Sequence, residues 1–393
     1  MSQQVSKPTI FATGIVSCIA VAFFAICLPV LTGCGSGKFF IPLCQASNSC
    51  GGTVVTYSSF AYIANRQTQT LEMIPIPKAT FTSLPAGTST ALGTPPSALA
   101  ATPKGTFLYL ATAGGPIFVY AIGTNGAVTI GNGGTPVVTT GFAPGWMTVD
   151  PSGNFLFIVS AVSPVLFEYQ IDPTTGVLSV VGSPQGNALS GGTPTQIYIP
   201  PNEQAVYVGL GIGGVDAFGF DSSSGTLGNR IHISPKTSNG VADNALGGDN
   251  KSAFLFIGET GTGVRVFSIA SGALTEVSGS PFTSPLGQSA IVVDPTNTYV
   301  YVASSSTSGI NGYTLAASGA LTPLATSPFS TGANPVAMSL DSTGKYLLVI
   351  ANGGNPDLQV FSFDASTGGK LNSVAVASTG ADPTGPVSLA VAP

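Results

Sequence analysis

Seven short apolar runs recur along the chain at almost even spacing, and that regularity limits the fold more than any other feature. They are FAYIAN from Phe60, FLYLAT from Phe107, FLFIVS from Phe155, AVYVGL from Ala205, FLFIGE from Phe254, YVYVAS from Tyr299 and YLLVIA from Tyr346. Successive starts lie 47, 48, 50, 49, 45 and 47 residues apart. A period of this length marks an array of one supersecondary unit, whose copies bury their faces against one another.

The surroundings of each run repeat as well. A turn precedes most of them: TPKGT at 102–106, DPSGN at 150–154, DPTNT at 294–298 and DSTGK at 341–345. Asp bonds its own downstream backbone, Pro presets φ, and Gly or Asn accepts left-handed geometry. Before that turn lies a short strand such as MTV, IVV or MSL. After the run, a Gly/Ser loop leads into an alternating strand (IFVYAI, VLFEYQI, VRVFSI, LQVFSF), then a second turn and a weaker fourth strand such as ALTEVSG. Four strands per repeat, with no helical period between them, predict an all-β, seven-bladed β-propeller of four-stranded antiparallel blades. The runs are apolar on both faces, as strands clamped between neighbouring sheets should be.

The two ends of the pattern fit each other. GPVSLAVAP at 385–393 aligns with APGWMTVDP at 143–151 and NPVAMSLDS at 334–342, which superimposes Pro386 on Pro144 and Pro335. It reads as an innermost strand with nothing after it, while the copy at Phe60 has a second strand and no clear first. The seventh blade is therefore expected to be composite, closing the ring by strand pairing and shielding the edges.

Composition narrows the setting. Only 7 % of residues are charged, with 51 Gly and 30 Pro, which suits a turn-rich extracytoplasmic protein. Eleven Lys plus Arg and a net charge of −5 argue against a nucleic-acid partner. After Lys7 an uncharged apolar stretch ends in Leu31-Thr32-Gly33-Cys34, which resembles the bacterial lipobox. That resemblance implies a signal peptide over 1–33, lipid on Cys34, a tether over 34–53 and the propeller over 54–393. The membrane is then a partner through the lipid, and the propeller faces the periplasm or the exterior as part of the cell envelope. A retained transmembrane anchor is the alternative, and it places the bulk of the chain on the same side. Cys44 and Cys50 are expected to form a small disulfide loop; zinc is the weaker alternative, since no further ligand lies nearby.

The phrases SGALTEVSGSPF (271–282) and SGALTPLATSPF (318–329), with the hairpins VDPSGNFLFIVS and LDSTGKYLLVIA, resemble those of the seven-bladed propeller lactonase family. Its named activity is 6-phosphogluconolactonase. The resemblance covers about 54–393 and implies a propeller whose catalytic members carry histidines just after the proline that opens each inner strand, with arginines and carboxylates nearby. Here that column reads Ser97, Gly145, Thr195, Asn244, Ser289, Val336 and Val387. None is a histidine, so the family's catalytic groups do not carry over.

Chemistry must come from what is left. Lactone hydrolysis needs an activated water and a stabiliser for the oxyanion. Glu259 as base and Arg66 as stabiliser form the best pair available, both placed in loops between second and third strands. Two solvated loop charges are the simpler description of them. His232, the sole histidine, alternates with Ile231 and Ile233 in an outer strand. With no acid in register it reads as a surface or groove residue. GLGIGG at 209–214 matches a dinucleotide fingerprint only in letters, because a strand follows it instead of a helix. Uncharged amides remain at the presumed mouth of the channel: Gln196, Asn244, Gln288, Asn334, Asn65 and Asn352, with Trp146, the one tryptophan, beside them. Amides next to an aromatic face suit a neutral, carbohydrate-like ligand. The expected role is a monomeric binding or scaffold module for such a ligand or an envelope protein, without cofactor or metal. Lactone hydrolysis is the alternative.

Overall fold

A computed structural model describes residues 55–393 except 80, 82, 184, 237–242, 260, 271, 354–355 and 380–384, and omits the side chains of Asp243 and Asn244. The apolar N-terminal stretch, Cys34, Cys44 and Cys50 lie outside the described residues. Among those described, seven antiparallel sheets are present, each ordered from an inner strand outward. Blade 1 runs Pro96–Ala101, Phe107–Thr112, Pro116–Ile122, Val128–Ile130; blade 2 runs Pro144–Val149, Phe155–Ser160, Val165–Ile171, Leu178–Val180. Blade 3 comprises Gln196–Tyr198, Ala205–Gly209, Val215–Asp221, Thr226–Ile233; blade 4 comprises Asp243–Gly248, Phe254–Glu259, Gly263–Ala270, Ala273–Glu276. Blade 5 consists of Gln288–Val293, Tyr299–Ser304, Gly309–Leu315, Leu321–Pro323, and blade 6 of Pro335–Leu340, Tyr346–Ala351, Leu358–Phe363, Leu371–Ala377. In blade 7, Pro386–Ala392 is innermost, followed by Tyr57–Asn65, Thr70–Pro77 and Thr88–Ala91.

The seventh blade is thus composite. Ala61 lies opposite Val391, Tyr62 opposite Ala390 and Ile63 opposite Leu389. Inner strands of successive blades touch in order all the way round, including blade 7 with blades 6 and 1. A serine latch reinforces the closure: Ser342 N donates to Ser59 Oγ at 2.8 Å, and Ser342 Oγ to Ser58 O at 2.6 Å.

The period-2 geometry of the second strands explains why the runs are apolar throughout. In blade 1, Phe107, Tyr109 and Ala111 join Met147, Leu156 and Ile158 of blade 2, while Leu108 and Leu110 join Phe60 and Tyr62 of blade 7. Every second strand serves two interfaces in this way, so a polar residue in either position would sit in a core.

The aromatic that opens most runs also has a defined seat. Phe60, Phe107, Phe155, Phe254 and Tyr299 pack on Gly126, Gly176, Gly225, Gly319 and Gly369, each in the turn between third and fourth strands of the next blade. All five glycines have left-handed φ, and a Cβ on any of them would come within 3.0 Å of the ring. Ala205 is the one run opener without a ring, and the corresponding Gly272 has nothing within 4 Å of an added Cβ. Tyr62, Tyr109 and Tyr301 add a hydroxyl bond to the same turns, on Gly126 O, Gly176 O and Gly369 O at 2.7, 2.9 and 3.0 Å.

The aspartates of the turns before the runs are structural, as expected. Asp150, Asp249, Asp294 and Asp341 are buried and accept from the backbone N–H of Phe155, Phe254, Tyr299 and Tyr346 at 2.6–2.8 Å.

Candidate functional site

The proline that opens an inner strand and the loop that follows a second strand lie on one face of the ring, here the top face. On it a pocket of about 250 Å³ is lined by Trp146, Thr195, Gln196, Gly287, Gln288, Ser289, Ser305, Asn334, Pro335 and Val336. These come from blades 2, 3, 5 and 6. Blade 4 sits between them, and its Asn244 side chain is outside the described residues.

Backbone geometry fixes this lining. Trp146, opposite Val159 in blade 2, is half-buried and packs on the core shared with blade 3. Gln196 clamps the next blade: its Oε1 accepts from Leu246 N at 2.8 Å and its Nε2 donates to Leu246 O at 3.3 Å. Ser289 Oγ donates to Pro335 O at 2.5 Å, tying blade 5 to blade 6. Asn334 holds left-handed φ of 53° and donates from Nδ2 to Asn352 Oδ1, while Asn352 N bonds Asn334 O at 3.1 Å. Gln288 is 1 % exposed; its Nε2 donates to Pro285 O at 2.6 Å, and its Oε1 has no partner. A buried acceptor left open in this way costs about 1–3 kcal/mol until a donor meets it.

Among the described residues no Asp, Glu, Lys, Arg or His lines the pocket; the side chain of Asp243, which opens the inner strand of blade 4, is outside them. The lining can therefore accept and donate hydrogen bonds and stack a ring. Its described side chains include no group to take a proton at neutral pH. Four of the expected residues, Trp146, Gln196, Gln288 and Asn334, meet here, and Asn352 stands behind Asn334. Asn65 does not join them. It is fully buried, donating to Thr379 O at 2.7 Å and accepting from Thr379 Oγ1 at 3.1 Å, so its amide fastens blade 7 to the chain leaving blade 6. Thr195 and Val336 line the pocket from the column that follows the inner-strand prolines, and Ser289 from the same column in blade 5, where Gln288 stands in the proline's place. The sequence marked that column, but only for its lack of histidine.

The expected pairing of Glu259 with Arg66 is not formed. Glu259 is 0 % exposed; its Oε1 accepts from Arg265 Nη1 at 2.7 Å, and its Oε2 from Thr262 Oγ1 at 2.9 Å and Lys236 N at 3.2 Å. Arg265 also reaches Glu276 at 3.0 and 3.3 Å and lies over the Phe267 ring. Burial works against the Arg265 charge, but the two carboxylates outweigh it and hold its pKa above the ordinary value. Glu276 is likewise held low, by Arg265 and Lys236 against its own desolvation. Arg66 is exposed, with Nε on Pro96 O at 3.3 Å.

His232 does have an acid partner, contrary to the sequence reading. Its Nδ1 lies 2.8 Å from Oδ1 of the fully buried Asp216, which also accepts from Ser190 N and Ser190 Oγ at 2.7 Å each. Counting back from the turn at 221–225 sets His232 opposite Val215. A bulge between Phe218 and Phe220 shifts the ladder by one and brings Asp216 opposite His232. The pair binds the outer hairpin of blade 3 to the link from blade 2, on the fourth strand and away from the pocket lining.

A larger cavity, about 750 Å³, lies between the outer strands of blades 6 and 7, lined by Glu72, residues 83–87 and residues 374–379 among others. It is a groove between sheet edges, without a tryptophan or convergent side-chain amides, and the smaller mouth has the better chemistry. Among the described residues no group of three His, Cys, Asp or Glu side chains could hold a metal.

The family described as Lactonase, 7-bladed beta-propeller, matches residues 53–197 and 191–384. No curated protein matches by sequence. Solved structures similar in fold include the periplasmic gluconolactonase of Pseudomonas aeruginosa, 16 % identical with a TM-score of 0.62, covering 85 % of this chain and 98 % of that one. A candidate 6-phosphogluconolactonase from Bacteroides fragilis NCTC 9343 is 18 % identical with a TM-score of 0.64, over 85 % and 98 % of the two chains. Another from Bacteroides uniformis ATCC 8492 is 15 % identical with a TM-score of 0.64, over 85 % and 99 %. At these identities the likeness is one of fold.

Proposed function

Because this chain belongs to the seven-bladed β-propeller lactonase family, we propose that its top-face pocket binds a small uncharged sugar or sugar lactone and does not hydrolyse it. One observation supports the reading: a described lining of ten residues with a tryptophan, three amide side chains and no ionisable group among them. An aromatic face takes the apolar face of a sugar ring, and amide and hydroxyl groups take its hydroxyls. Hydrolysis of a lactone needs a base near the attacked carbonyl, and the expected base, Glu259, is buried and paired with Arg265. Phosphorylated sugars call for convergent Arg or Lys, and none is among the described lining residues. Of the activities named for similar structures, gluconolactone fits this lining better than its 6-phosphate.

The proposal includes placement outside the cytoplasm through a lipid on Cys34, supported by the Leu31–Thr32–Gly33–Cys34 motif. Incorporation of labelled fatty acid, lost in Cys34→Ala, tests that part. For the pocket, Trp146 is the only indole and its fluorescence reports binding directly. Titration with glucono-δ-lactone or methyl glucoside should shift its emission saturably, with no acid release above the spontaneous rate in a pH-stat. Saturable hydrolysis of the lactone would contradict the binding reading.

A further inference from the structure

Six of the seven run openers are aromatic, and each ring has a seat on the next blade. For Phe60, Phe107, Phe155, Phe254 and Tyr299 the seat is a glycine between third and fourth strands, and those five glycines are buried. Tyr346 meets Phe81 edge to face at 4.7 Å and donates to Ala79 O at 3.1 Å. Blade 3 breaks the pattern, because its opener is Ala205. Gly272, which aligns with Gly319 in the SGAL phrase, keeps the left-handed φ of its counterparts, at 81°. It is nevertheless exposed, and an added Cβ would meet nothing within 4 Å.

A cavity of about 480 Å³ opens here, lined by Gln204, Gly219, Phe220, Leu227, Gly228 and Gly272 among others. Gly219 is the strand partner of Ala205, and Gly272 is the vacant seat, so the cavity lies where the missing ring would stand. Ala205, Ile269 and Leu274, at the edge of the core between blades 3 and 4, are only half-buried. The site is on the face opposite the Trp146 pocket, at the ends of the third strands.

The counterparts define what such a seat takes. In each, the ring lies so close to the glycine that an added Cβ would come within 3.0 Å of it. A flat ring makes that approach, whereas a saturated ring of the same size is thicker and loses contact. Asp221 is the one charged side chain among the described lining residues, and it already accepts from the Ser223 and Ser224 hydroxyls at 2.7 Å each. It disfavours an anion beside it. The strand of Ala205 is paired on both sides, so a ring from solvent arrives with no strand behind it. A free molecule meets that condition better than a side chain of an extended partner.

We propose that the gap between blades 3 and 4 binds a small aromatic molecule without negative charge, its ring on Gly272 where the other blades hold their own. The test is saturation-transfer NMR on the full-length protein in dodecyl maltoside, titrated with p-cresol. Eight heavy atoms in an open seat should give a Kd on the order of 1 mM. 4-Methylcyclohexanol, similar in size but not flat, should bind about fivefold more weakly or worse, and 4-methylbenzoate more weakly than p-cresol.

Two substitutions fill the seat from within. Ala205→Phe restores the missing ring and should raise the melting temperature by about 1–3 °C. Gly219→Leu starts from a Cβ position with nothing within 4 Å and tests the site independently should the first variant misfold. Either folded variant should lose the p-cresol signal, which also separates the site from partition into micelles. A signal that survives in the filled proteins would overturn the proposal. So would 4-methylcyclohexanol or 4-methylbenzoate binding as tightly as p-cresol. Binding of a tyrosine within an extended peptide, with none of p-cresol, would overturn it in favour of a protein partner.

Discussion

Two clusters of polar side chains sit at the top ends of neighbouring strands and do opposite things. In blade 4, Glu259, Arg265 and Glu276 satisfy one another, Glu259 and Arg265 buried, with Lys236 of the preceding link closing the cluster from the surface. A few strands away, Trp146, Gln196, Gln288, Ser289 and Asn334 line a pocket with no charged side chain among the described residues. The charged cluster resembles an active site in composition, but its acids and bases are engaged with one another; the neutral one has no acid or base among its described residues and lines a pocket. In a chain with so little charge, buried ionic groups here hold blades together, and recognition is left to amides and an indole.

The comparison can be broken most severely at Arg265. Arg265→Met should leave Glu259 buried without its cation and lower stability by about 3–5 kcal/mol in denaturant titrations, while methyl glucoside still shifts Trp146 emission. Loss of binding without loss of stability would place the charged cluster in the site after all.

Glu168 sharpens the contrast, because it is a buried carboxylate with no cation. Its Oε1 accepts from Asn187 at 2.6 Å and its Oε2 has no partner. Desolvation lifts its pKa to about 7 despite the Asn187 bond. Between its unfolded value near 4.5 and 7 the folded state therefore holds the extra proton. Stability falls as pH rises through that window and is level above it. Glu168→Gln should raise stability at pH 8 by on the order of 2 kcal/mol and leave it unchanged at pH 4. Equal effects at both pH values would show that the carboxyl is already solvated.

Smaller effects belong to the pocket. Trp146→Phe keeps a ring but less surface, and calorimetry should find methyl glucoside binding about three- to tenfold weaker, near ~1 kcal/mol, at unchanged melting temperature. Arg66→Ala, at an exposed side chain with one backbone contact, should change neither stability by more than ~0.5 kcal/mol nor binding measurably. A clear effect of Arg66 on binding would return it to the mouth.

The ring was legible because its cause is local. Aromatic run openers, turn aspartates and glycines recur at fixed offsets, and the structure gives each a contact in its own blade or the next. Trp146, Gln196 and Asn334 were legible for the same reason, since Pro144, Pro194 and Pro335 mark the tops of their blades, and Gln288 takes the proline's place in blade 5. What the sequence concealed depends on side-chain pairing across strands. Glu259 and Arg265 sit on facing strands of one hairpin, yet a loop glutamate and a strand arginine look unrelated until the register is known. Asp216 meets His232 only because a bulge displaces the ladder by one residue. Asn65 looked available because Thr379, which takes up its amide, is 314 residues away.

The most direct test of the account is a paired titration of Trp146 emission with methyl glucoside and glucose 6-phosphate at low salt. A saturable shift with the neutral sugar and none with the phosphorylated one is the predicted result. Tighter binding of the phosphate, weakened by added salt, would mean that cations reach the pocket and that its neutrality has been misjudged.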